Sequence, residues 1–151
     1  MRGEILGRVA ADLLSVPPLI FRLVRRKLTM ATMEDMDVDI KLLHLEIMRV
    51  LQEEGTLHPA KIGERLLVAK AQMTHLIDKL VALDFIKREM DSVDRRTINL
   101  SLTEKGRKVL EEQDKVVVSA VRENMSELSD AELEALSSSL RNLRDVLFKL
   151  Q

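Results

Sequence analysis

The sequence predicts a mainly α-helical fold that carries one small β-hairpin. Three observations predict it. The 151 residues are 46% hydrophobic but only 2% aromatic, with three Phe and no Tyr or Trp, so the core must come from Leu, Val, Ile and Met. Glycine and proline are scarce, five and three, which suits helices. Apolar residues recur at helical spacing through most of the chain and alternate at strand spacing in one short region, about residues 85–103. The length suits one domain with a sizeable core, and 32% charged residues beside that apolar content describe a globular chain.

Residues 4–16 place Ile5, Val9 and Leu13 at helical spacing. Pro17 and Pro18 are expected to break or kink that helix, because each removes a backbone donor. Helical spacing resumes at Ile20, Phe21, Val24 and Leu28. Residues 32–39 read as an acidic connector, and Asp37 or Asp39 can cap the next helix. That helix runs to about Glu54 with Ile40, Leu43, Ile47, Val50 and Leu51 on one face, and Gly55 ends it.

His58-Pro59 opens a short helix, since proline is at home in a first turn; Ile62 and Leu66 face inward. After about three residues a second helix begins at Lys70, with Met73, Leu76, Ile77 and Leu80 as its buried stripe. Two short helices so spaced make a helix-turn-helix pattern. The β-branched, alternating runs Phe85–Glu89 and Arg96–Thr103 then read as two strands around a polar turn. Helix-turn-helix followed at once by a hairpin is the order of a winged helix. The full prediction is mainly α with a small β-hairpin wing, a winged helix-turn-helix flanked by N- and C-terminal helices. Its parts are residues 1–36, 37–103 and 104–151.

Thr103 can cap a long helix over about residues 104–127, with Leu110, Val117, Val121 and Leu128 as its apolar positions. Ser129 and Glu132 form a capping box for the last helix. There Leu133, Leu136, Leu140, Leu143, Leu147 and Leu150 step by three and four, a heptad seam. Such a seam can pack on its own domain. An intermolecular seam is preferred, because a small winged helix offers little surface to cover both terminal helices.

Several function classes are excluded or disfavoured. With no cysteine there is no disulfide, thiolate metal site, cysteine nucleophile or thiol redox switch. His44, His58 and His75 fall on three elements without the i, i+4 spacing of a helical metal site, so no metal and no cofactor is expected. No Ser-His-Asp order, Gly-rich phosphate loop or supported carboxylate pair suggests an enzyme. No apolar run approaches the ~18 residues of a membrane span, and a cytoplasmic protein without a membrane partner is expected. The formal net charge is −1, but residues 61–107 hold ten Lys/Arg against seven Asp/Glu, a net of +3. A local basic excess suits an anionic partner.

The stretch Leu66–Arg88 followed by "DSVDRRTINLSLTEKG", residues 91–106, resembles the MarR family (multiple antibiotic resistance regulators). Asp94-Arg95-Arg96, then Leu102-Thr103 and Gly106, carry most of the likeness, which extends over roughly residues 20–150. The resemblance implies a homodimeric winged-helix transcription regulator with N- and C-terminal dimerisation helices (residues 1–36 and 104–151) that binds double-stranded DNA, a repressor at a pseudo-palindromic operator released by a small aromatic or anionic ligand. The missing Tyr and Trp remove two common partners for such a ligand. An alternative is a protein–protein interaction module that dimerises through its last helix without specific DNA binding. On the recognition helix Lys70, Ala71, Gln72, Thr74 and His75 lie opposite the buried stripe, where such side chains reach base edges or phosphate; Lys79 touches a phosphate or nothing. In the wing, Arg95 or Arg96 is expected in the minor groove, with Arg95 nearer the tip and Asp94 holding one arginine by a charge-assisted bond. The family usually has a small turn residue and a Ser/Thr cap where this chain has Leu67 and Ala69, and Gly where it has Asp84.

Overall fold

In the computed structural model the backbone is described for residues 1–35 and 42–150, and the side chains for 1–23 and 42–150. The elements are α1 (Arg2–Asp35), α2 (Leu42–Glu54), α3 (Pro59–Leu66), α4 (Lys70–Ala82), β1 (Ile86–Met90), β2 (Ile98–Leu102), α5 (Glu104–Asn124) and α6 (Asp130–Phe148). This is the mainly helical winged-helix architecture that the sequence predicts. The chain forms two compact units, Lys27–Val116 and a second made of Met1–Arg26 with Val117–Gln151. Among the described residues no helix is long and apolar enough to cross a membrane.

Of the break or kink expected at Pro17-Pro18, the break does not occur; both prolines lie inside one 34-residue helix. Proline's φ is helical, so the cost lies in two missing N–H donors and in the crowding of each ring against the carbonyl of Leu13 or Leu14. Those residues are 51% and 79% exposed, so water can satisfy the freed carbonyls, while many intact turns remain on either side. Arg22 Nε donates to the Pro18 carbonyl at 3.2 Å, and Ser15 Oγ donates to the Asp12 carbonyl at 3.3 Å. α1 also takes in residues 32–35, the first half of the expected connector. The caps expected at Asp37 or Asp39, and Ile40, lie outside the described residues.

The Lys27–Val116 unit is organised by one aliphatic core. α2 supplies Leu45, Ile47, Met48 and Leu51, α3 Ile62, and α4 all four predicted stripe residues. The hairpin adds Phe85, Ile86 and Leu100, and α5 adds Leu110. Phe85 is the one aromatic side chain in this cluster, as the composition requires. Gly55, at φ +79, closes α2 in the left-handed region that glycine adopts freely. His58 caps α3 with its ring: Nδ1 accepts from the Ala60 N–H at 3.2 Å. Leu57 and Leu100 exchange two backbone bonds, 3.0 and 2.8 Å, which fastens the entry to α3 onto β2.

β1 and β2 pair antiparallel from Ile86 opposite Leu102 to Met90 opposite Ile98. The second strand starts two residues later than expected, because Asp94–Thr97 form a turn and not a strand. Where β2 meets α5, Thr103 caps as expected: its hydroxyl accepts from the Gly106 N–H at 3.0 Å. α5 ends at Asn124, and Leu128 sits in the connection to α6. There the predicted capping box is complete. Ser129 Oγ accepts from the Glu132 N–H, and Glu132 accepts from the Ser129 N–H at 2.8 Å. The Ser129 bonds hold the Glu132 carboxyl below the ordinary glutamate range. No residue of α6 is buried in the single chain; Leu140, Leu143 and Leu147 are 45%, 37% and 42% exposed. Leu150 lies past the end of the helix.

A Cβ built on Gly106 would sit 2.1 Å from the Phe85 carbonyl oxygen and 2.8 Å from Leu102 Cδ1. Backbone on one side and a packed side chain on the other leave no room. Gly106→Ala is expected to destabilise the protein by about 3 kcal/mol, read as a lower midpoint of urea unfolding at unchanged slope.

Candidate nucleic-acid interface

The turn between α3 and α4 sets how α4 is presented. Gly63 is buried in α3, and a Cβ there would meet Val68 O at 3.2 Å and Met73 Cγ at 3.3 Å. This close approach lets the two helices pack tightly. Leu67 ends α3 in the left-handed region, φ 53 and ψ 43. Ala69 occupies the N-cap of α4 and offers no side-chain bond. The first N–H groups of α4 therefore lack a side-chain acceptor and leave partial positive charge at the helix start.

With Met73, Leu76, Ile77 and Leu80 buried, the remaining face of α4 points outward. Lys70, Ala71, Gln72, Thr74 and His75 are exposed, and Lys79 is half-buried. The Thr74 hydroxyl donates to the Lys70 carbonyl at 3.1 Å, so its proton is engaged within the helix while its methyl remains.

The wing tip is organised by acids acting on backbone. Asp91 Oδ1 accepts from the Val93 N–H at 2.8 Å and from the Asp94 N–H at 3.2 Å, and Asp91 Oδ2 accepts from the Asn99 amide at 2.8 Å. The Val93 N–H above all, then the Asn99 amide and the Asp94 N–H, hold the Asp91 carboxyl below its ordinary range. The bond expected between Asp94 and an arginine side chain is not formed. Asp94 Oδ1 instead accepts from the backbone N–H of Arg96 at 3.0 Å, and the Asp94 carbonyl accepts from Thr97 N and Oγ. A short carboxylate two residues back in a turn reaches an amide more readily than a guanidinium on a long, exposed side chain. Arg95 and Arg96 are both exposed. They occupy the turn, so strand alternation does not decide which way they point.

An ion pair between Arg88 and Asp78 ties β1 to the outer side of α4. Between α3, α4 and the wing lies one cleft of about 790 Å³. Lys70 and Thr74 of α4, Glu64 of α3 with its cap His58, and Arg96 and Ile98 of the wing line it. The structure thus brings Lys70, Thr74 and Arg96 around one concavity, with Gln72, His75 and Arg95 outside it. Sequence reasoning missed Asp91, the Asp78–Arg88 pair and the His58 cap as parts of this surface. An Asp two residues before a turn amide was a readable signal for the first; the Asp78–Arg88 pair crosses two elements and had none.

Residues 40–98 match the model of the MarR family. The uncharacterized HTH-type transcriptional regulator YfiV of Bacillus subtilis is 30% identical over 94 residues, 60% of this chain and 59% of YfiV. The chain thus spans less than two thirds of that relative's length. Over residues 40–98 the chain is thus similar to the MarR family. Solved structures agree on the fold. A MarR family protein from Bacillus stearothermophilus matches with TM-score 0.76 and 20% identity over 94% of this chain and 97% of that one. Streptococcus pneumoniae FabT, solved in complex with DNA, matches with TM-score 0.65 and 22% identity over 97% and 99%.

The departures from the MarR pattern have visible structural consequences. Leu67 stands in a left-handed turn conformation that a small residue would enter with less strain. Ala69 leaves α4 without a side-chain cap. Asp84, at φ 61, takes the left-handed turn before β1 as short polar residues can. The fold is preserved at all three.

Proposed function

We propose that this protein is a sequence-specific DNA-binding transcription regulator of the cytoplasm that acts as a homodimeric repressor at a pseudo-palindromic operator. The carrying observation is the cleft rimmed by Lys70 and Thr74 of α4 and Arg96 of the wing, beside an uncapped helix start. Positive side chains and helix N–H groups on one concave face suit a phosphate backbone. The FabT structure, a neighbour of the same fold, contains DNA, which supports the reading.

In this reading residues 37–103 form the DNA-binding lobe. Lys70, Ala71, Gln72, Thr74 and His75 face the major groove, and Lys79 lies beside a phosphate. Arg95 enters the minor groove, Arg96 lies nearer the body, and Asp94 holds the turn that presents both. Residues 1–36 and 104–151 dimerise. The half-exposed seam from Leu133 to Leu147 supports this, as do the exposed apolar residues Leu6, Val9, Leu13, Val16 and Ile20 of α1. Release from DNA by a small aromatic or anionic effector also belongs to this reading. Stabilisation in a thermal-shift screen of aromatic acids tests that part, and no stabilisation by any of them removes it.

Selection from random duplex DNA is expected to enrich a pseudo-palindrome with half-sites about 34 Å apart. Arg95→Ala should weaken binding to operator and random DNA alike and lower the slope of log affinity against log salt by about one per protomer. Gln72→Ala should leave that slope unchanged, cost about 1–3 kcal/mol at the operator and relax preference at one position per half-site. Salt titrations of both variants on both DNAs check the assignment. No enriched site at any salt concentration would instead favour the interaction-module alternative.

Dimerisation has its own test. Leu140→Asp together with Leu147→Asp should yield an unfolded chain by circular dichroism, since folding and association are coupled. A folded wild-type monomer at micromolar concentration in light scattering would refute the dimer.

A further inference from the structure

We propose that Leu67, at the turn between α3 and α4, is a specificity-determining residue that reads the C5-methyl group of thymine at one position in each half-site. The proposal rests on the reading of the lobe as a DNA-binding module. Leu67 is the most exposed large apolar residue in the helix-turn-helix, at 93%, so burial within the chain returns nothing for its side chain. Its backbone is also costly. At φ 53 and ψ 43 it sits where a Cβ crowds the backbone and where glycine passes freely. The bonds that close the turn, from the Leu67 N–H to Glu64 O and from the Val68 N–H to Gly63 O, need only backbone. The fold would thus be served as well by a residue without this side chain.

Two comparisons isolate Leu67. Val93 at the wing tip is equally exposed, 93%, but has no positive φ, so its presence costs the backbone nothing. Asp84 has a positive φ of 61, but its short polar side chain tolerates it. Among the described residues only Leu67 combines backbone strain, an apolar side chain and nearly full exposure. An outlier of that kind points to something outside the chain.

The surroundings say what that partner is. Leu67 lines the same cleft as Lys70, Thr74 and Arg96. An apolar protein surface seated there would strip water from the Lys70 and Arg96 charges without pairing them. Duplex DNA supplies phosphates for the cations and, in the major groove, one apolar group on base edges, the thymine methyl. Leu67 stands three residues before Lys70, at the entrance of the helix whose N-terminal residues reach base edges.

The test uses the full chain and its selected operator. Each thymine of a half-site is replaced in turn by deoxyuridine, which deletes the methyl and keeps the pairing. For the wild type one position should lower affinity about fourfold, as expected for one buried methyl. Leu67→Gly and Leu67→Asn, both compatible with the left-handed turn, should bind the thymine operator about as weakly as the wild type binds the deoxyuridine one. Both should be indifferent to the replacement and keep wild-type affinity for random DNA and an unchanged salt slope. Their melting temperatures should equal or exceed that of the wild type, because the strain is relieved. Wild-type indifference to deoxyuridine at every position overturns the proposal, as does unchanged discrimination in both variants. If the wild type binds its operator selectively and only these contrasts fail, Leu67 alone is misassigned. If it binds no duplex selectively, the DNA-binding reading fails and takes this proposal with it.

Discussion

The hydroxyl of Thr103 and the carbonyl of Phe85 form the joint on which the winged lobe depends. Thr103 Oγ lies 2.6 Å from the Asp84 carbonyl and 3.0 Å from that of Phe85, and it accepts from the Gly106 N–H. The Thr103 N–H donates to the same Phe85 carbonyl at 3.0 Å. One residue therefore pins the turn after α4, the first residues of the hairpin and the start of α5. The close approach requires glycine at position 106. The bonds to the Phe85 carbonyl and from the Gly106 N–H are partly buried beside an aliphatic core, where water competes less, so they count for more than the exposed bond to Asp84.

That joint makes α4 and the wing a single body. α4 reaches β1 through only Leu83, Asp84 and Phe85, and the left-handed conformation of Asp84 reverses the chain sharply. The hairpin returns with Leu100 in the core and with Leu57 bonded across it, so the beginning of α3 is fastened to the same sheet. The Asp78–Arg88 pair closes the outer side. An exposed ion pair contributes little stability alone, but it restricts rotation of the hairpin against α4. The cleft between them then has walls whose separation is fixed by backbone bonds and not by the exposed side chains that line it.

Much of this was legible in the sequence. Met73, Leu76, Ile77 and Leu80 have one strong period and nothing to contradict it, and all four are buried. The capping box at Ser129 and the Thr103 cap are local devices whose partners lie three residues away, so short-range reading suffices. The proline pair does not end the helix, and spacing alone could not show that the carbonyls left without donors, those of Leu13 and Leu14, would be exposed to water. At Asp94 the charge pattern suggested a side-chain partner, while turn geometry put a backbone amide nearer. The Asp78–Arg88 pair and the bridge from Leu57 to Leu100 arise only when separate elements meet, and no spacing announces them. The candidate site was legible in its residue types and less so in its geometry. Lys70, Thr74 and Arg96 share a cleft, and that grouping depends on the turn at Leu67.

The acids of the wing show how such a surface can be ordered without being strongly basic. Asp91 and Asp94 stand beside Arg95 and Arg96, so residues 91–96 carry two charges of each sign. Both carboxylates are occupied by donors within the turn, and the Asp91 carboxyl, held low by those donors, stays ionised through the neutral range. Its charge is then a fixed part of the turn's architecture. A polyanion approaching this hairpin meets little net attraction from the wing as a whole. It gains only where an arginine can leave the plane of the acids and insert into a narrow, strongly negative groove, since potential rises steeply there. On the proposed function, the wing therefore contributes through the width of the groove it enters more than through bulk charge. The helix α4, with its uncapped start and its Lys70, contributes the broader attraction to phosphate.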